Sequence, residues 1–111
     1  FGMFLETGKK YNEALKHLDS ALDLYRELDD KIQMSYVLQS IIEICSQTGN
    51  FIKAKEYTNQ NLKIAAESKD KVIIADSYLV AGNLEEQLHH YIEAISYYKK
   101  AKDIYLSLND F

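Results

Sequence analysis

The chain has 111 residues, 47% of them apolar and 27% charged, with a formal net charge of −4. That length suits one compact domain, and the balance is that of an ordinary globular chain rather than a disordered one. Basic residues run no longer than the pairs Lys9-Lys10 and Lys99-Lys100, which argues against a nucleic-acid surface, since that needs clustered lysines and arginines.

There is no proline and there are four glycines. All-β domains need frequent turn residues, so long helices are expected instead. No apolar run approaches the ~18 residues of a membrane span. Cys45 is the single cysteine. It excludes an internal disulfide and is compatible with a reducing, cytoplasmic compartment.

In chain order, residues 1–30 read as the end of one helix (Phe1 to Thr7), a break at Gly8–Lys10, and a second helix carrying Tyr11, Ala14, Leu15, Leu18, Ala21, Leu22, Tyr25 and Leu28. A third helix is expected over Lys31 to Thr48, with Ile32, Leu38, Ile41, Ile42 and Cys45 at helical spacing. Gly49-Asn50 breaks the chain, and a fourth helix follows over Phe51 to Ser68. After Lys69-Asp70 a fifth carries Ile74, Ala75, Tyr78, Ala81, Gly82 and Leu88. Past His89-His90 a sixth carries Tyr91, Ala94, Ile95, Tyr98, Ala101, Tyr105 and Leu108. Phe1 reads as the middle of an element and Phe111 as the start of another.

These helices repeat with a period of 40 residues. Asp30, Asp70 and Asp110 recur in register, each placed as an N-cap whose carboxylate accepts from exposed backbone N–H groups. Tyr11, Phe51 and Tyr91 share one register position, and Ala14, Ala54 and Ala94 lie three residues beyond. Tyr25 matches Tyr105, and Leu28 matches Leu108. One helical hairpin cannot bury its apolar stripe alone, so successive hairpins must stack. The expected architecture is a single domain over 1–111: a partial repeat at 1–30 and full repeats at 31–70 and 71–110. The alanines would let paired helices approach, and the aromatics would fill the gap near each hairpin turn.

On these residues the chain resembles the tetratricopeptide repeat family in a 40-residue, bacterial-type form. Gly82, Tyr91 and Ala94 fit its pattern of glycine, aromatic and alanine. Gly49-Asn50-Phe51 fits its turn. Tyr98 and Leu18 stand at its later large residue, and Ala101 and Ala21 at its second small one. Ile42, His89, Thr58 and Asn61 depart from it. The resemblance implies an all-α, right-handed superhelix of antiparallel helix pairs, an α-solenoid of about two and a half repeats.

Catalytic and metal readings are weak. Cys45 lies on an apolar stripe with no oriented base, and reads as a buried structural thiol. The neighbouring imidazoles of His89 and His90 do not face one another and lack a further ligand at suitable spacing, so a turn role is expected. Glu43, Glu85 and Glu86 read as solvated helix faces. No catalytic residue, cofactor or metal site is expected. Most of the tyrosines read as interhelix packing, with Tyr36 as the exception.

The resemblance further implies that the first helix of each pair lines a concave groove that binds a peptide or partner helix. Position by position, the groove residues are Tyr36, Gln39, Glu43, Ser46 and Gln47 in one repeat, and Asp76, Leu79, Asn83, Glu86 and Gln87 in the next. Some family members clamp acidic C-terminal tails with basic and amide side chains. Of the matching positions here, which include Gln39, Leu79, Glu43 and Asn83, only Asn83 suits that task. A basic or amphipathic protein segment is the expected ligand. The leading expectation is a protein-interaction scaffold within a larger bacterial signalling or regulatory protein. The alternatives are a regulatory or sensory segment of an enzyme such as a histidine kinase or phosphatase-like protein, and a plain structural spacer. Copies of the chain are also expected to associate through uncovered stripes at both ends.

Overall fold

A computed structural model describes the backbone of residues 2–109 and the side chains from Lys10 onward. It consists of five helices with no strand among the described residues: α1 (Gly2–Glu27), α2 (Lys31–Gln47), α3 (Phe51–Ser68), α4 (Lys71–Gln87) and α5 (Tyr91–Leu108). The chain is an all-α helical-repeat solenoid of antiparallel hairpins, α2–α3 and α4–α5, with α1 packed on α2 and α3 packed on α4. The first helices of the two hairpins, α2 and α4, also touch. The molecule is correspondingly elongated, 52 × 36 × 22 Å.

The helix ends follow local chemistry. Asp30 caps α2 by accepting from Gln33 N (3.2 Å). Asn50 caps α3 by accepting from Lys53 N (3.4 Å). Asp70 caps α4 by accepting from Val72 N and Ile73 N (3.0 and 3.2 Å). Each carboxylate or amide thereby satisfies donors that the first helical turn leaves exposed. Asp110, expected as the next cap, and Phe1 and Phe111 lie outside the described residues.

The reversals are equally regular. Asp29, Gly49, Lys69 and His89 all adopt positive φ. At three of the turns the following N–H reaches back five residues: Asp30 N to Tyr25 O, Asn50 N to Cys45 O, and His90 N to Glu85 O (3.0, 2.8 and 2.8 Å). This closes the helix with a left-handed residue at the position where glycine is favoured. His89 stands there in place of the family's glycine at φ 65°, and histidine is among the residues that tolerate it. The turn role expected of His89-His90 is what the backbone shows.

One expected break is absent. α1 runs through Gly8–Lys10 as a single helix of 26 residues, so the division into a helix ending at Thr7 and another beginning at Tyr11 is corrected. Lys10 occupies the register position of Asn50 and offers no acceptor to cap a new helix. Lys9 and Lys10 are themselves good helix formers. With no cap to stop it, a nucleated helix propagates.

The core joins all three layers. Leu22 of α1 packs with Met34, Val37, Leu38, Ile41 and Cys45 of α2, Ala54 of α3 and Leu84 of α4. Ala54 and Ala94 are buried in close helix–helix contact. Of the aromatics three residues before these alanines, Tyr91 packs at its own hairpin turn as the sequence suggested, its hydroxyl 2.9 Å from His89 Nδ1. Tyr11 reaches across to the next hairpin, donating to Gln47 Oε1 at 3.1 Å. Tyr91, with no following hairpin among the described residues, is 56% exposed.

Candidate functional site: the groove between α2 and α4

Because α2 and α4 sit side by side, the faces they turn away from α3 and α5 form a shared groove of about 620 Å³. Of the ten residues expected to line it, eight do so: Tyr36, Gln39, Glu43, Ser46 and Gln47 from α2, and Asn83, Glu86 and Gln87 from α4. Ser40, Ile42, Val80 and Leu84 complete the lining. Sequence reasoning missed these four, yet Ser40/Val80 is a register pair just as Glu43/Asn83 is. For Ser40 and Val80 the signal was that spacing of 40 residues. Ile42 read as part of an apolar stripe, and both it and Leu84 are buried at the groove floor.

Two expected residues lie elsewhere. Asp76 accepts a hydrogen bond from the Tyr105 hydroxyl of α5 and is drawn to that helix. Leu79 is part-exposed outside the groove lining. The repeat explains the first displacement. Tyr36 and Asp76 are register equivalents, as are Ala65 and Tyr105. In hairpin α2–α3 the aromatic sits on the first helix, 46% exposed in the groove, and the second helix carries a buried alanine. In α4–α5 the aromatic sits on the second helix and bonds the carboxylate that replaces Tyr36. Burial, helped by Asp76, pushes the Tyr105 hydroxyl up to about 12.

The groove's polar groups are held by bonds from behind and along the helices. Gln47 accepts from Tyr11 through Oε1 and donates to Glu43 Oε1 at 3.4 Å. Tyr98 donates to Asn83 Oδ1 at 2.7 Å and to Glu86 Oε1 at 3.3 Å. Burial, reinforced by Glu86, raises the Tyr98 hydroxyl above its ordinary range. The Asn83 oxygen being occupied, its NH₂ is the group left to donate. The Tyr98 ring lies directly against Gly82, where an added Cβ would stand 2.7 Å from Cε1. The glycine is therefore what lets α5 place that hydroxyl among the groove residues. No basic side chain belongs to the lining, whereas Glu43 and Glu86 supply two exposed carboxylates.

The remaining candidates fall as follows. Cys45 is 2% exposed, and burial pushes its thiol up, consistent with an inert structural cysteine. Glu43 and Glu86 are solvated as expected, but Glu85 is not. It is 3% exposed and is bonded by Lys55 of α3 and by His90 Nδ1 at 2.7 Å. Burial alone would raise its carboxyl, yet the bonds from Lys55 and His90 hold it below the usual range. The reading of Glu85 as a solvated residue is corrected. It faces the preceding hairpin because its register position is that of buried Cys45. No cluster of three or more metal-ligating side chains occurs among the described residues, and none of the described helices is long and apolar enough to cross a membrane.

A solenoid of helical hairpins with a groove along its first helices defines a protein-interaction repeat. The family model described as tetratricopeptide repeat matches residues 34–107. The chain belongs to the tetratricopeptide repeat family, whose repeats mediate protein–protein interaction. No curated protein matches the sequence.

Proposed function

We propose that the groove between α2 and α4 binds a segment of a partner protein, and that the segment is basic or amphipathic. The supporting observation is the lining itself: two carboxylates, four side-chain amides and one half-exposed tyrosine, with no cation among them. An acidic segment brought beside Glu43 and Glu86 meets like charge, about 1 kcal/mol per pair at ~4 Å in water and more where water is displaced. A basic segment gains the same field, and its encounter is faster at low salt. Tyr36 supplies broad contact area at small entropic cost. The pinned amides supply hydrogen bonds with little further ordering. In this reading the chain is a scaffold module of a larger signalling or regulatory protein of bacterial type, working in the cytoplasm. The same groove would equally serve as the sensory segment of an enzyme whose catalytic part lies elsewhere.

A peptide array probed with the protein tests the reading. Basic or amphipathic peptides are expected to be enriched, with binding weakened by Glu43→Lys, by Glu86→Lys and by Tyr36→Ala. Enrichment of acidic C-termini, unaffected by Glu43→Lys, would show the proposal to be wrong.

A further inference from the structure

The groove is not uniform along its length. On α2, Tyr36, Gln39 and Glu43 follow one another a turn apart, and on α4 Val80, Asn83 and Glu86 do the same. Each helix therefore reads apolar, amide, acid, and the two helices, separated by two reversals, run in one direction. The apolar ends of both series lie toward the helix N-termini and the acids toward the C-termini. Tyr36 and Glu43 are seven residues apart on one helix, about 10 Å along its axis.

The acidic end is uncompensated. A helix C-terminus carries partial negative charge, which a basic residue in the last turn ordinarily offsets. Neither α2 nor α4 has one. Glu86 lies in the last turn of α4 and Glu43 just before the last turn of α2, so each adds to the dipole instead. Among the described residues neither acid enters an ion pair. One oxygen of each is engaged, Glu43 Oε1 by Gln47 and Glu86 Oε1 by Tyr98. Each Oε2 is left to accept from a ligand.

The amides between the two ends offer complementary atoms. Ser35 gives its proton to buried Asn61, so its oxygen accepts from Gln39 Nε2 at 3.3 Å and the Gln39 oxygen is left to accept in turn. Asn83, its oxygen taken by Tyr98, presents N–H. One acceptor and one donor suit a backbone N–H and C=O. A helix interior has already paired those groups, whereas an extended polyproline-II segment leaves them exposed. In that conformation residues three apart share a face and lie about 9 Å from one another, close to the span between the groove's two ends.

We infer that the groove takes an extended segment, with an apolar residue on Tyr36 and Val80 and a lysine or arginine three residues away between Glu43 and Glu86, at the hairpin-turn end. The inference deepens the proposed basic or amphipathic ligand and rests on that reading.

The test titrates the full chain into fluorescent ten-residue peptides and follows their anisotropy. Each peptide holds one leucine and one arginine in an alanine–serine background, spaced one, three or seven residues apart and in both chain orders. Spacing seven is the one that a helical ligand would favour. Spacing three is expected to bind about tenfold tighter than either of the others. Glu86→Gln keeps the oxygen that Tyr98 bonds. It is expected to weaken the arginine peptide about tenfold and to leave a norleucine counterpart almost unchanged. Tyr36→Ala is expected to weaken both peptides alike. Equal binding at all spacings, tightest binding at spacing seven, or coupling of the arginine to Tyr36 rather than to Glu86 would each overturn the inference while leaving a basic ligand in place. Absence of binding by every peptide of the set would overturn the reading beneath it as well.

Discussion

Hairpin α2–α3 and hairpin α4–α5 share one register and one backbone plan, yet they fill equivalent positions with opposite side chains. Where the first has Ile42 and Thr58, the second has Gly82 and Tyr98, so the large residue has moved from one helix to the other. Where the first has Ser35 and Asn61, the second has Ala75 and Ala101, and all four are essentially fully buried. Tyr36 and Ala65 give way to Asp76 and Tyr105, and at the junctions Leu15 and Cys45 give way to Lys55 and Glu85. Each exchange replaces two residues together. Close packing explains this: a repeat interface fixes the summed volume and the pairing of polar groups, not the identity of either residue.

If the exchanges are truly coupled, single substitutions are damaging and their paired counterparts are not. The largest effect is expected at Gly82. Gly82→Ile drives a branched side chain into the Tyr98 ring and is expected to cost about 3 kcal/mol, the upper range for overpacking. Adding Tyr98→Thr recreates the Ile42/Thr58 pair and is expected to recover most of the loss in denaturant melts. No recovery would show that the two hairpins are not interchangeable at this layer.

The junction comes next. Lys55→Leu leaves the Glu85 carboxylate buried with only His90 beside it, and about 2 kcal/mol of stability is expected to go. The pair Lys55→Leu with Glu85→Cys copies the α1–α2 junction and is expected to be neutral or stabilising. Acid separates the two proteins further. The Glu85 carboxyl is held below its ordinary value of 4.5 in the folded state. Its contribution is therefore present above pH 4.5 and lost as pH falls through the lower folded value. The parent is expected to lose stability in that window, while the double variant keeps this share of it. Melting temperatures between pH 3 and 6, about 1.5 units to either side of the carboxyl's ordinary range, measure the difference.

A smaller change is expected at Asn61. Its Oδ1 accepts from Ser35 Oγ at 2.6 Å, but its Nδ2 is buried without a partner. Replacing the pair by Ser35→Ala with Asn61→Ala, as in the second hairpin, is expected to raise stability by about 1 kcal/mol, from the unpaired donor and from helix propensity. Asn61→Ala alone is expected to gain less, because Ser35 must then turn its hydroxyl to its own helix. A net loss for the double variant would mean that the polar pair fills volume that two alanines cannot.

The smallest effect concerns Tyr105, present only in the second hairpin. Its hydroxyl is raised from 10.0 to about 12, so the folded state holds the proton more tightly. That contribution is complete below pH 10 and is lost as pH rises from 10 to about 12. Tyr105→Phe is expected to cost about 0.5 kcal/mol at neutral pH, because Asp76 is reached by water once the hydroxyl is gone. Ultraviolet titration of tyrosinate is expected to lose its highest step in this variant.

Much of this architecture is carried by local chemistry. The 40-residue spacing of caps, turns and alanines specifies helix ends at 30–31, 49–51, 69–71 and 89–91, because capping and left-handed turn residues act within a few positions of themselves. The groove was reached differently: eight of its lining residues came from the family resemblance, carried over position by position onto the first helices. What misled was the exception to a register. Gly8–Lys10 looks like a turn, but without a capping acceptor it stays helical.

Pairing between helices is a different matter. Nothing local distinguishes Glu85 from Glu86, and only the approach of Lys55 and His90 makes one a buried partner and leaves the other in solvent. Nothing local tells that Tyr105 will take Asp76 out of the groove, or that Asn61 will find Ser35 26 residues away. A sequence period determined which elements form and in what order they stack, since that depends on spacing along one chain. Which polar groups are buried, and against what, was decided by tertiary structure, because a side chain's desolvation and its partner both come from residues that only folding brings near.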